Sequence, residues 1–210
     1  MVFKANGLSD KYIDVLREIG NIGSGHAVTA LSEMLNKKVN MNVPKIIILQ
    51  FKELSEIMNG AESLVVGILL KISGDIKGDI MFILDAVAAK LLINMLMGNN
   101  PTEKEENENF SEIEISALKE IGNIMTGSYI TALSMLTGLK IIPSVPYIAI
   151  DMAGAIISVP AIEFGKIGDS VLYIETEFFE GTNKVTGEFF LILETESFDK
   201  LMSTLGVNTY

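Results

Sequence analysis

The chain has 210 residues, a formal net charge of −11, 49% hydrophobic and 20% charged residues, and no cysteine. That length suits one sizeable domain or two halves sharing a sheet, and the acidic balance argues against a general affinity for nucleic acid or anionic lipid, which need basic patches. The lack of cysteine excludes disulfides and thiolate chemistry. The opening MVFKANGLSD has no long apolar core of a signal peptide. The longest apolar runs, SLVVGILLKI and AGAIISVPAI, are too short or too interrupted for the ~20 residues of a membrane span. A cytoplasmic protein that works away from the membrane is expected.

Apolar spacing predicts a long helix over about 9–36, then a strand led by Pro44, PKIIILQF. A strand pair follows, SLVVGILLKISG with KGDIMFIL, joined through SGDIK, where glycine lets the chain reverse at low steric cost. The run DAVAAKLLINMLMG closes this half as a helix. An acidic, Asn-rich stretch at about 99–110 carries turn residues, Pro101 and a charge run, and reads as a solvated linker. The same order then returns: a helix at about 111–137, a strand led by Pro146 (PYIAIDM), a pair SVLYIETEFFE and KVTGEFFLIL joined by GTNK, and a closing helix, SFDKLMSTLG.

The repetition is in the residues as well as in the order. At an offset of 102, residues 11–44 align with 113–146, with 15 of 34 positions identical, including the run TALS at 29–32 and 131–134. The copies continue less tightly, KGDIMFIL at 77–84 against TGEFFLIL at 186–193, where the offset has grown to 109. Two copies of that length are too few and too long for a solenoid. One domain over 1–210 is expected, built of two related repeats (about 9–98 and 111–206). Adjacent hairpins imply antiparallel pairing, so the fold class is α+β, with long helices laid on a largely antiparallel sheet.

Both long helices contain the phrase EIGN, at 18–21 and 120–123. At about 100° per residue, Asp14, Glu18, Asn21 and Gly25 fall on one stripe, and Leu16, Ile19, Ala27 and Ala30 fall opposite. The second copy repeats this with Ser116, Glu120, Asn123 and Gly127 in front and Leu118, Ile121 and Ala132 behind. A carboxylate and a carboxamide one turn apart therefore face away from the core. Gly20 and Gly122 are expected at the side of the helix, where a missing side chain lets another helix or a partner come close. Flanking surface positions differ between the copies (Asp14/Ser116, His26/Ser128, Glu33/Met135), whereas Glu and Asn do not.

Other chemistries find little support. The single histidine, His26, has no partnering motif for a catalytic triad, and no His or Cys cluster has zinc-ligand spacing. The Gly-rich GNIGSGHA lies inside a helical pattern and lacks the Lys-Ser/Thr ending of a phosphate-binding loop. The methionines of MLM at 95–97, Met125 and Met135 read as core filler. A carboxamide, by contrast, can orient an attacking water, as a glutamine does in some phosphoryl-transfer sites. A carboxylate beside it can hold a cation. An exposed pair on a helix cannot enclose a small substrate, but it can be inserted into the active site of another protein.

The spacing Asp14-x3-Glu18-x2-Asn21-x22-Pro44, repeated as Ser116-x3-Glu120-x2-Asn123-x22-Pro146, resembles the signature of the CheC/CheX/FliY phosphatases of bacterial and archaeal chemotaxis. The likeness extends over essentially the whole chain, and two complete sites are similar to the two-site members of the family. The resemblance implies a pseudo-twofold fold with two long exposed helices, plus shorter ones, on a continuous antiparallel sheet. It implies hydrolysis of the aspartyl phosphate of phosphorylated CheY. Asn21 and Asn123 would direct water at phosphorus, and Glu18 and Glu120 would pair with the regulator's lysine. Asp14 and Ser116 would assist at the edge of the contact, while Pro44 and Pro146 would start the strand behind each helix. No cofactor of its own is implied; Mg2+ would belong to CheY. A monomer is expected, with the receptor deamidase CheD as a second partner through AIDMAGAII at 149–157, Asp151 included. A non-catalytic adaptor that docks CheY or CheD would carry the same stripe, and that alternative stays open on the residues alone.

Overall fold

The computed structural model describes residues 10–50, 53–54, 60–97, 109–164, 170–180 and 183–206. Its elements in chain order are α1 (Asp10–Leu35), β1 (Asn40–Gln50), β2 (Leu64–Gly74), β3 (Gly78–Asp85), α2 (Ala86–Met97), α3 (Glu112–Thr137), β4 (Ile141–Pro143), β5 (Tyr147–Met152), α4 (Ala153–Phe164), β6 (Ser170–Glu180), β7 (Asn183–Leu193) and α5 (Thr195–Thr204). The acidic segment at 99–108 lies outside the described residues, as do Gly181 and Thr182 of the second expected turn.

Local chemistry sets the helix ends. Ser111 caps α3 reciprocally: its hydroxyl accepts from the Glu114 N–H, and the Glu114 carboxylate accepts from the Ser111 N–H. The Ser-x-x-Glu spacing is a helix-start signal readable in the sequence. At the other end Gly138 turns left-handed, with φ 70°, and its N–H donates to the Ser134 carbonyl. Its counterpart 102 residues earlier is Asn36, left-handed at φ 48°, the residue type that tolerates this conformation best after glycine. Both helices therefore stop at equivalent places by equivalent means.

The seven strands form one sheet in the order β1-β6-β7-β3-β2-β4, with β5 also paired to β2, and every pairing is antiparallel. The first strand of each half completes the other half's hairpin: β1 lies against β6, and β5 against β2. At the centre, β3 pairs with β7 so that Met81 faces Phe190, two residues that the 109-residue offset makes equivalent. The flanking pairs Ile80↔Leu191 and Phe82↔Phe189 map onto each other under the same offset, as a twofold relation passing between Met81 and Phe190 requires.

Side-chain alternation along the strands separates two apolar layers. On one face Val66, Ile68, Phe82, Leu172, Ile174 and Phe189 pack with α1, α2, α3 and α5. On the other, Met81, Ile83, Tyr173 and Phe190 pack with Leu54 and with Ala153, Ile156 and Ile157 of α4. The α+β expectation holds.

One strand boundary differs from expectation. Pro44 does not open β1 but sits within it, where the pairing with β6 shifts register between Asn42 and Lys45. Proline cannot donate to the ladder and is tolerated on an edge strand or at a bulge, and β1 is both. Pro146 does directly precede β5.

Candidate functional site

The long helices α1 and α3 pack side by side on one face of the sheet. Leu16, Ile19, Ala27 and Leu31 of α1 are buried, as are Leu118, Ile121, Met125, Tyr129 and Leu133 of α3. The 3.6-residue period then obliges the opposite stripe to face outward. Asp14, Glu18 and Asn21 are exposed on α1, and Ser116, Glu120 and Asn123 on α3. Each Glu–Asn pair is thus brought together one turn apart, in an exposed position. The only described ion pair at either stripe is Arg17 with Asp14, at 3.6 Å and largely solvated, a kind worth about 0–1 kcal/mol.

Between these stripes the helices meet asymmetrically. A Cβ on Gly23 would lie 2.5 Å from the Tyr129 ring; that glycine is there to admit the tyrosine. Tyr129 stacks at 4.5 Å on Phe189, and its hydroxyl shares a 3.4 Å hydrogen bond with Thr176 Oγ1. Burial pushes its phenol up to about 12. At the equivalent places α3 has Met125 for Gly23, and α1 has Ala27 for Tyr129, so one helix offers the hollow and the other fills it.

Gly20 and Gly122 do not open the helix to a partner. Both are buried, and a Cβ would stand 3.1 Å from Val43 Cγ1 at Gly20 and 2.6 Å from Ile68 Cγ2 at Gly122. They let the helices lie directly on strands β1 and β2. Two smaller expectations also change. Ser128 is buried, its hydroxyl donating to the Ile124 carbonyl at 2.7 Å, whereas His26 is exposed. Met95 and Met125 are core residues, but Met97 and Met135 are 47% and 67% exposed.

Asp151 lies apart from the Glu–Asn pairs, on β5 in register with Val65 of β2. It is exposed, and its Oδ1 accepts from the Met152 N–H at 2.7 Å. Tyr147, Met152, Val159 and Ile162 are exposed nearby along β5 and α4. Among the described residues no three His, Cys, Asp or Glu converge as metal ligands, and no helix is long and apolar enough to cross a membrane.

The run TALS marks the repeat in the sequence, and the structure adds a place for its threonines beside the site. Thr29 and Thr131 extend the exposed stripes, and each donates its hydroxyl to the carbonyl four residues back, Gly25 and Gly127.

Comparison with known proteins bears on the same residues. The CheC-like family profile matches residues 13–48 and 113–150, which contain both Glu–Asn pairs and both prolines. The CheY-P phosphatase CheC of Bacillus subtilis is 38% identical over 205 residues, covering 97% of this chain and 98% of that protein. The flagellar motor switch phosphatase FliY of the same organism is 28% identical over 143 residues, which cover 68% of this chain but 36% of FliY. The crystal structure of Thermotoga maritima FliY superposes with a TM-score of 0.74 at 25% identity, covering 95% of this chain and 98% of that one. FliM from the H. pylori FliM–SpeE complex shares the fold at 14% identity and a TM-score of 0.69, covering 95% of this chain and 96% of its own. With near-complete coverage at that identity, and with both motif copies inside the matched segments, the chain belongs to the CheC-like family.

Proposed function

We propose that this protein is a CheY-P phosphatase whose two helices α1 and α3 each insert a Glu–Asn pair into the active site of phosphorylated CheY. The observation that carries the reading is the twice-presented, solvent-facing Glu–Asn stripe in a chain 38% identical over nearly its whole length to a protein named CheY-P phosphatase. Asn21 or Asn123 holds one water, accepting from it and donating to it, with its oxygen in line behind phosphorus. That oxygen bonds to phosphorus as the bond from phosphorus to the aspartyl oxygen breaks. The products are inorganic phosphate and the free aspartate carboxylate. Glu18 or Glu120 engages the regulator's lysine and fixes the docked geometry, while Asp14 and Ser116 flank the contact. Positioning and charge placement supply most of the acceleration in such reactions. The magnesium of the reaction is assigned to CheY. Both repeats act as one domain, a monomer carrying two sites.

Catalytic amounts of the wild type should shorten the lifetime of phospho-CheY with matching release of phosphate. Binding without faster decay would contradict the phosphatase reading and favour a docking adaptor.

A second surface, around Asp151 on the edge strand β5, is proposed to bind CheD; the exposed apolar residues beside it fit a protein contact. Asp151→Lys should abolish co-purification with CheD and leave dephosphorylation intact. Retained co-purification would refute that surface.

A further inference from the structure

Five glycines lie inside the two long helices, and three are explained by what stands over them: Val43 at Gly20, the Tyr129 ring at Gly23, and Ile68 at Gly122. Gly25 and Gly127 are different. A Cβ on either would meet nothing within 4 Å, and neither has a positive φ. Apart from proline, glycine is the poorest helix former, so the fold gains nothing from it at either position and loses helix stability at both.

The two glycines are equivalents at the 102-residue offset, and each lies one turn beyond its asparagine on the outward stripe. In both copies the glycine carbonyl is occupied by a threonine hydroxyl, Thr29 Oγ1 at 2.9 Å and Thr131 Oγ1 at 2.7 Å. The result, twice, is a strip of helix backbone without a side chain and with its carbonyl already bonded. The buried positions two residues to either side have diverged between the copies (Gly23 to Met125, Ala27 to Tyr129), while the glycine has not. Nothing described within the chain requires glycine at either position.

We propose that Gly25 and Gly127 are clearance positions that set affinity for the response regulator: its main chain beside the phosphoaspartate lies directly on the helix there. The proposal rests on the phosphatase reading above. One helical turn is about 5.4 Å, so a partner that presents its phosphoryl group to the asparagine places its neighbouring backbone over the glycine. A Cβ pushes that backbone away by about the length of a carbon–carbon bond, ~1.5 Å, and glycine is the residue that permits such close approach.

The test is the pair of double variants Gly25→Ala/Gly127→Ala and Gly25→Gln/Gly127→Gln, read for melting temperature, KM and kcat on phospho-CheY. Melting temperature should rise by several °C in both, since a better helix former replaces glycine in open space. KM should rise about tenfold for alanine and further for glutamine, with kcat changed less. A higher melting temperature with KM unchanged would overturn the proposal. So would a lower melting temperature, which would give the glycines a role inside the fold. If the wild type binds phosphorylated CheY without hydrolysing it, the phosphatase reading fails on its own. The Kd of the same variants for CheY charged with beryllofluoride then decides this proposal, a rise supporting it and no change refuting it.

Discussion

Helices α1 and α3 repeat one sequence pattern 102 residues apart, and the differences between the copies are unevenly spread. Their buried faces have diverged at two positions, where Gly23 and Ala27 of α1 are small and Met125 and Tyr129 of α3 are large, while Leu16, Ile19, Gly20 and Leu31 recur as Leu118, Ile121, Gly122 and Leu133. On the outward stripes Asp14 has Ser116 as its counterpart, but Glu, Asn, Gly and Thr recur at 18, 21, 25 and 29 and again at 120, 123, 127 and 131. A core tolerates such exchanges when one side's loss of volume is the other's gain, and the Tyr129 ring over Gly23 is that exchange. A solvated surface has no comparable constraint. That repetition is what the proposed contact with an external partner would require of the outward stripe, while the interior is asymmetric where Tyr129 packs over Gly23.

The comparison can be broken first from the inside. Tyr129→Ala removes the large half of the contact and should cost about 3–5 kcal/mol in chemical denaturation; Ala27→Gly at its counterpart should cost less, about 1 kcal/mol from helix propensity. The small half is probed by glycine. Gly23→Ala should cost about 1–3 kcal/mol by overpacking against the ring, and the cost should shrink when Tyr129 is also alanine, a coupling that a double-mutant cycle reads directly. Gly122→Ala, with 2.6 Å to Ile68, should be worse than Gly20→Ala, with 3.1 Å to Val43.

A smaller effect sharpens the comparison between the central strands. Glu188 on β7 is the counterpart of Asp79 on β3, and it pairs in register with Glu175 of β6. Burial, reinforced by the Glu175 and Asp85 carboxylates, pushes Glu188 up to about 7 from an ordinary 4.5. The folded protein therefore holds a proton that the unfolded chain has released. The associated stability is full below about 4.5 and is lost as pH rises through about 7. Glu188→Gln should flatten that slope and raise stability above neutral pH by on the order of 1 kcal/mol. An unchanged pH profile would show that Glu188 titrates normally.

Much of this architecture is legible in the sequence. The helix spans, the hairpins and the outward stripe follow from local periodicity, and periodicity is a property of neighbouring residues. The exchange of first strands between halves was not legible, because β1 meets β6, and β5 meets β2, across long stretches of chain that no local pattern encodes. The glycines were misread for a related reason. Gly20 and Gly122 seemed to invite a partner, but they face Val43 and Ile68; an angle on a helix cannot say what lies beyond it. Gly25 and Gly127 were placed on the stripe correctly, and only the open space around them distinguished them from the rest. The proline of β1 reads as a strand start in the sequence because proline usually punctuates; the edge position and bulge that tolerate it belong to the sheet.

The most direct test of the account follows phospho-CheY decay with Asn21→Ala, Asn123→Ala and the double variant. Both side chains are exposed, so folding and melting temperature should be unaffected. Each single variant should retain the activity of the intact site, and the double variant should lose about 10²–10³ in rate, as removal of a preorganised hydrogen-bonding group does elsewhere. A double variant that hydrolyses phospho-CheY as fast as the wild type would contradict the assignment of the two stripes as active sites.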